Sequence, residues 1–231
     1  MPHHKIKRAR LELGVLLLLM LLTTLVFWHT DLDQRVAAWF YHPENRRNPW
    51  PTQHWWLVKP LYDYAFPATV LAGIVAFLVY MLGHFHHYTA RFRRRALYIL
   101  LVIAVGPGLV VNMVVKENWG RPRPLHEKSF GGEFDYVPPG LIAHTPDKSF
   151  VCGHCSVAYS FVVLYFLSQN HKLLYLILAI MLGWGMGSTR MLAGGHYLSD
   201  VLWSGYLVFL VAYALYYGWY LELRWWRRLQ H

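Results

Sequence analysis

The chain has 231 residues, 56% of them apolar and only 15% charged, against roughly 45–50% and 25% in soluble proteins. That composition excludes an ordinary soluble domain and fits a single membrane domain over residues 1–231. The net charge of +10 does not make a nucleic-acid surface, because the basic residues stand in short clusters between apolar stretches, as they do in membrane loops.

Lys5, Lys7, Arg8 and Arg10 precede the first apolar run, residues 11–28. No small-residue cleavage site follows it; His29, Thr30 and Asp31 come instead, so the run reads as an uncleaved membrane helix rather than a signal peptide. Residues 29–63 carry Trp39, Phe40, Tyr41, Trp50, Trp55 and Trp56, ring types that favour the headgroup layer. Within them, residues 31–41 read either as a short amphipathic helix on the membrane surface or as a plain loop with scattered aromatics. Apolar runs follow at 64–83 and 96–115. Residues 116–149 are dense in Gly, Pro and charge, and a connection of that length is usually functional. Three more apolar runs lie at 150–168, 173–188 and 198–221. Each of the six approaches the ~20 residues that cross a bilayer core. The expected fold class is all-α: an integral membrane bundle of six transmembrane helices with a short interfacial helix.

Lys and Arg set the expected orientation. With the N-terminus inside, the inner segments are 1–10, 84–95, 169–172 and 222–231, and they hold 12 of the 22 basic residues. Besides the four at the start, these are Arg91, Arg93, Arg94, Arg95, Lys172, Arg224, Arg227 and Arg228. The density predicts both termini in the cytoplasm and residues 116–149 outside.

The polar residues at helix ends then gather on the outer side. Lys116, Arg121 and Arg123 follow the third run, His154 opens the fourth, Arg190 ends the fifth, and His196 and Asp200 open the sixth. A single such charge is most often a snorkelling or headgroup-binding residue; seven on one side point to a site. The chemistry they suit is phosphoryl transfer, whose transition state spreads charge over several oxygens. Lys116, Arg123 and Arg190 supply cations, and the Gly153 N–H lies at a helix start, where the dipole favours anions. Asp200 follows His196 by four residues and shares its helix face, and a carboxylate beside one imidazole nitrogen makes the other a better nucleophile.

These residues resemble the type 2 phosphatidic acid phosphatase (PAP2) superfamily. Its first motif, K-x6-R-P, reads Lys116 to Pro124 in full. Its second, P-S-G-H, reads Val151-Cys152-Gly153-His154, where only Gly and His match. Its third, S-R-x5-H-x3-D, runs from Thr189 and Arg190 through His196 to Asp200, with Thr for Ser. The resemblance covers about residues 96–220. It implies a membrane lipid phosphatase acting on a phosphomonoester or diphosphate at the outer, periplasmic face of a bacterial inner membrane. It further implies His196 as nucleophile, Asp200 as its orienting carboxylate and His154 as the acid. Lys116, Arg123, Arg190, Cys152 and Gly153 would hold the phosphate, with no metal or other cofactor. Cys152 stands where the family has Ser, and a thiol is the weaker donor. Phosphatidic acid, phosphatidylglycerol phosphate, polyprenyl diphosphate and the phosphates of lipid A all suit such a site, and the partners implied are that lipid and the bilayer.

Two other readings compete. Cys152-Gly153-His154-Cys155 also spells the motif of thiol–disulfide oxidoreductases, although no βαβ pattern surrounds it and it leaves the cations and His196 unused. A lipid phosphotransferase, or a non-catalytic lipid-binding member of the same family, would share the scaffold.

Overall fold

The computed structural model describes residues 3–54, 56 and 58–221. Trp55 and the C-terminal Arg224, Arg227 and Arg228, used above for aromatic placement and orientation, lie outside the described residues. Among the described residues there is no β-strand, only one isolated bridge between Glu127 and Phe134. The helices are α1 (His3–His29), α2 (Leu32–Ala38), α3 (Val58–Phe85), α4 (Arg93–Ile103), α5 (Gly153–Leu167), α6 (Lys172–Leu192) and α7 (Leu198–Leu215). A wider π-helical stretch, Ala104–Val115, and a last turn, Lys116–Trp119, carry α4 onward.

Among the described residues, five helices are long and apolar enough to cross a membrane: those covering Ile6–His29, Pro67–Phe85, Arg93–His126, Lys172–Leu192 and Leu198–Tyr220. The first, α1, shows why: Leu11, Val15, Leu17, Leu18, Leu21 and Leu22 all face outward. A helix apolar on every side, with so little of it packed, has lipid for its solvent. The result is an all-α integral membrane bundle.

The run expected to span at 150–168 comes out shorter, as α5. At about 1.5 Å per residue it rises roughly 22 Å, less than the hydrocarbon core. Two causes appear. Cys152 is extended and forms the N-cap, so 150–152 are not helical, and Ser168 returns to extended geometry at the other end. The short length is tolerated because Cys155, Ser156, Val157, Ala158, Tyr159, Val162 and Phe166 are buried. A helix enclosed by its neighbours need not match the bilayer.

Two features shape the Lys116 end of α4. Pro107 has no N–H for the helical ladder, the ladder widens around it, and the Asn112 Nδ2 donates to the Pro107 carbonyl at 2.7 Å. Gly120, at φ 59°, then ends the last turn in left-handed geometry, which turns Arg121–Arg123 back over the bundle. The short helix expected at 31–41 is α2. It docks on the end of the bundle where α7 begins, with Asp33, Val36 and Ala37 buried and Trp39 exposed. Beside it Tyr41, Trp50 and Phe130 pack ring against ring.

Candidate active site

The ends of α4 to α7 on one side of the bundle bring the expected residues together. Lys116 opens the last turn of α4, Gly153 and His154 the first turn of α5, and Arg190 lies in the last turn of α6. His196 precedes α7 by two residues, and Asp200 is in its first turn. Gly153 allows the close approach: a Cβ there would lie 2.3 Å from Asn112 Oδ1 and 3.3 Å from Lys116 Nζ. The Arg190 guanidinium lies against the backbone before His196, since a Cβ on Gly195 would come within 2.7 Å of its Nη2. Lys116, Arg123, Arg190 and His196 are all close enough for His154 to feel their charge. The Arg123 backbone N–H donates to Asp147 Oδ2 at 2.9 Å. Its Nε is buried and meets no acceptor within the protein, the condition of a donor shaped for an oxygen brought from outside.

His196 is 2% exposed and Asp200 fully buried. The His196 Nδ1 lies 2.7 Å from the Ser149 carbonyl oxygen. A carbonyl can only accept, so Nδ1 carries the proton and Nε2 the lone pair. The Asp200 carboxylate stands 3.7 Å from the same nitrogen, beyond hydrogen-bond range. The tautomer is therefore set by a backbone carbonyl, and the carboxylate acts on the ring through its charge. Burial pushes the imidazole pKa down to about 4, Arg190 and Lys116 add to this, and Asp200 opposes it. The ring is neutral at neutral pH.

A buried, neutral imidazole with a free Nε2, beside a second histidine and three cations, can attack phosphorus and protonate a leaving oxygen. The sequence profile of the PAP2 superfamily matches residues 95–224, which contain every one of these side chains. The chain belongs to the PAP2 superfamily. A lipid A 4'-phosphatase from Francisella tularensis subsp. novicida is 40% identical over 135 residues, 55% of this chain and 60% of the relative. One from Rhizobium leguminosarum is 36% identical over 117 residues, 48% and 49% of the two chains. A lipid A 1-phosphatase from Rhizobium etli is 32% identical over 121 residues, 49% of each. The chain thus spans about half to three-fifths of the length of these relatives. No solved structure matches.

Cys152 departs from the expectation. Its sulfur is bonded to that of Cys155 at 2.08 Å, and both residues are 0% exposed. A disulfide sulfur has no hydrogen, so the thiol donor expected at this place in the PAP2 second motif is absent. Instead Cys152 Sγ accepts from the Cys155 N–H at 3.3 Å and caps α5. The burial also removes support from the oxidoreductase reading, because exchange needs a thiolate to reach a sulfur.

Three residues around this PAP2 site, Asn112, Ser149 and Asp33, escape a reading of the sequence, and Arg121 is marked by it without a role. Asn112 is one helical turn before Lys116, a spacing that could have suggested it. Arg121 is fully buried and ion-paired to Asp200 at 2.5 Å and to Asp33 at 2.8 Å; its place in Gly-Arg-Pro-Arg-Pro was the only signal. Ser149 acts through its carbonyl on His196 and through its hydroxyl on Asp200 at 2.6 Å. Asp33 lies 88 residues from Arg121 along the chain, and nothing local marks it.

Proposed function

We propose that this protein is a membrane phosphatase that removes a phosphate from lipid A, or from a lipid of that phosphorylated saccharide type, through a phosphohistidine on His196. The observation that carries the reading is the His196 imidazole, neutral, tethered at Nδ1 and open at Nε2, among Lys116, Arg123, Arg190 and His154. The names of the 4'- and 1-phosphatase relatives support the choice of lipid.

In the first step the Nε2 lone pair forms a bond to phosphorus. The phosphorus–oxygen bond to the lipid breaks, and His154, protonated once the phosphate anion is bound beside it, gives its proton to the departing oxygen. The nearby Asp200 carboxylate favours the positive charge that builds on the His196 ring. Lys116, Arg123, Arg190 and the Gly153 N–H bind the three phosphoryl oxygens. In the second step water attacks phosphorus, its proton goes to the now neutral His154, and the phosphorus–nitrogen bond breaks. Inorganic phosphate leaves, and both histidines return to their starting states.

The site sits at the end of the bundle opposite the Arg91–Arg95 cluster. The excess of positive charge in cytoplasmic loops supports a site on the periplasmic side of a bacterial inner membrane, with both termini inside. Purified protein in detergent should release phosphate from bisphosphorylated lipid A, and mass spectrometry of the product assigns the position lost. Rapid quenching into alkali with phosphorus-32 substrate should trap a protein-bound label that His196→Ala lacks. Product formed with no trapped label, or label that persists in His196→Ala, would refute the assignment.

A further inference from the structure

Arg121 is a buried guanidinium in the same outer segment as Arg123, but its bonding excludes it from the phosphate clamp. A guanidinium has five N–H donors. Nε donates to the Val137 carbonyl at 2.7 Å. Nη1 donates to Ser199 Oγ at 2.8 Å and to Asp200 Oδ1 at 2.5 Å. Nη2 donates to Asp33 Oδ2 at 2.8 Å and to the Tyr136 hydroxyl at 3.3 Å. All five are engaged, and the plane is further held 4.5 Å from the centre of the Tyr197 ring. No donor remains for a substrate oxygen.

Asp33 is satisfied just as fully. Oδ1 accepts the Ser199 N–H at 2.9 Å. Oδ2 accepts from Arg121, from Ser199 Oγ at 2.5 Å and from the Tyr136 hydroxyl at 3.1 Å. Its α2 neighbour Gln34 donates to the buried Glu127 at 2.5 Å, and the Tyr197 hydroxyl donates to the same carboxylate. Two consecutive side chains of α2 therefore enter the polar layer beside Asp200, Asp33 fully buried and Gln34 partly so. Asp200 completes it: Oδ1 takes Arg121, and Oδ2 takes Ser149 Oγ and the Tyr197 N–H, at 2.6 and 2.9 Å.

We propose that Arg121, anchored by Asp33 of α2, is a positioning residue that fixes the Asp200 carboxylate at its stand-off from His196. The fork geometry makes this possible, since one planar group spans two carboxylates and leaves neither free to turn. A carboxylate held only by Ser149 and the Tyr197 N–H could swing toward Nδ1 and compete with the Ser149 carbonyl. The inference rests on the phosphatase reading, and the two can fail separately.

The test compares Arg121→Lys, Asp33→Asn, their double variant and Arg123→Lys, each with lipid A turnover and with inhibition by orthovanadate as a phosphate probe. Lysine keeps the charge and loses the fork. Arg121→Lys should lower kcat about 10- to 100-fold, and should leave KM and vanadate affinity within about twofold because the clamp is intact. Asp33→Asn should shift kcat in the same direction by less. The double variant should be little worse than Arg121→Lys, because both residues act through one carboxylate. Arg123→Lys should raise KM and weaken vanadate. The inference is overturned if Arg121→Lys raises KM at constant kcat. It also falls if kcat per vanadate-binding site is unchanged in both variants, or if the two losses multiply. Should Arg121→Lys fail to fold, Asp33→Asn carries the same comparison. A wild-type chain that binds vanadate but hydrolyses no phosphorylated lipid overturns the functional reading instead.

Discussion

Replacing Asp200 by asparagine removes one negative charge and keeps the shape of the side chain. The charge lies 3.7 Å from the His196 Nδ1. Across that distance, at an effective dielectric near 20, a unit charge on the ring is favoured by about 4 kcal/mol. Arg121, hydrogen-bonded to the same carboxylate, carries the opposite charge and cancels a large part of this. A remainder of ~1–3 kcal/mol corresponds to roughly a 5- to 150-fold loss in the step that makes the ring positive. The fold is affected less. The amide loses one of the bonds from Arg121, Ser149 or the Tyr197 N–H, at a cost of about 1 kcal/mol, and Ser149 still fixes the His196 tautomer. Asp200→Asn should therefore lower kcat with little change in KM, and single-turnover quenching should show slower labelling of His196. A thermal melt in detergent controls for stability. A loss under about threefold, or one confined to KM, would mean that the carboxylate does not act on the ring through its charge.

The nucleophile is the neutral imidazole, present above its pKa and lost as pH falls through it. With that value pushed down to about 4, about nine-tenths of His196 is still competent at pH 5, against roughly 3% for an ordinary imidazole. The acid limb of kcat should turn over near pH 4 and stay there as the leaving group is varied; a limb near 6.5 on every substrate refutes the burial argument. The Cys152–Cys155 bond closes too short a loop to matter much for global stability, but it holds the turn that carries Gly153 and His154. Cys152→Ser with Cys155→Ser should lower kcat a few-fold while the melting temperature moves little, whereas full alkylation of both cysteines in folded, unreduced protein would show that the bond is not there. In a variant lacking both cysteines, a cysteine at position 131 should react with an impermeant thiol reagent in cells whose outer membrane is permeabilised, and one at position 93 should not. The reverse pattern removes the periplasmic site.

The parts of this molecule legible in its sequence are those encoded at short range. Six apolar runs appear because the length needed to cross a bilayer is a local property. The pairs Lys116–Arg123 and His196–Asp200 are found by spacing because a single loop or helical turn sets their separation. Even so, spacing alone misassigns the contact between His196 and Asp200. Four residues along a helix bring two side chains to one face, but His196 lies before α7 begins, and a backbone carbonyl, which has no letter in the sequence, takes the hydrogen bond. Burial explains the shortness of α5 in the same way. The run of 19 residues at 150–168 is mostly apolar, but a segment enclosed by its neighbours need not be helical over its whole length. The cross-link between Cys152 and Cys155 depends on a cap geometry that composition does not carry.

Asp33 marks the limit most clearly. By itself it is an acidic residue in the first turn of a short helix, where favourable interaction with the helix dipole would account for it. Its partners come from two distant places: Arg121 and Tyr136 in the segment between α4 and α5, and Ser199 in α7. Two carboxylates and one guanidinium, all fully buried, would be costly if assembled only for stability, since desolvation commonly outweighs the attraction within a buried ion group. A PAP2 site gains something else from them. Its cations must be able to meet a phosphate, and a carboxylate left mobile nearby would compete for them. By engaging Asp33 and Asp200 completely, Arg121 keeps both negative charges on the far side of His196. The two sides of the site are thus solved together, with donors kept open toward the substrate and every acceptor filled behind the nucleophile.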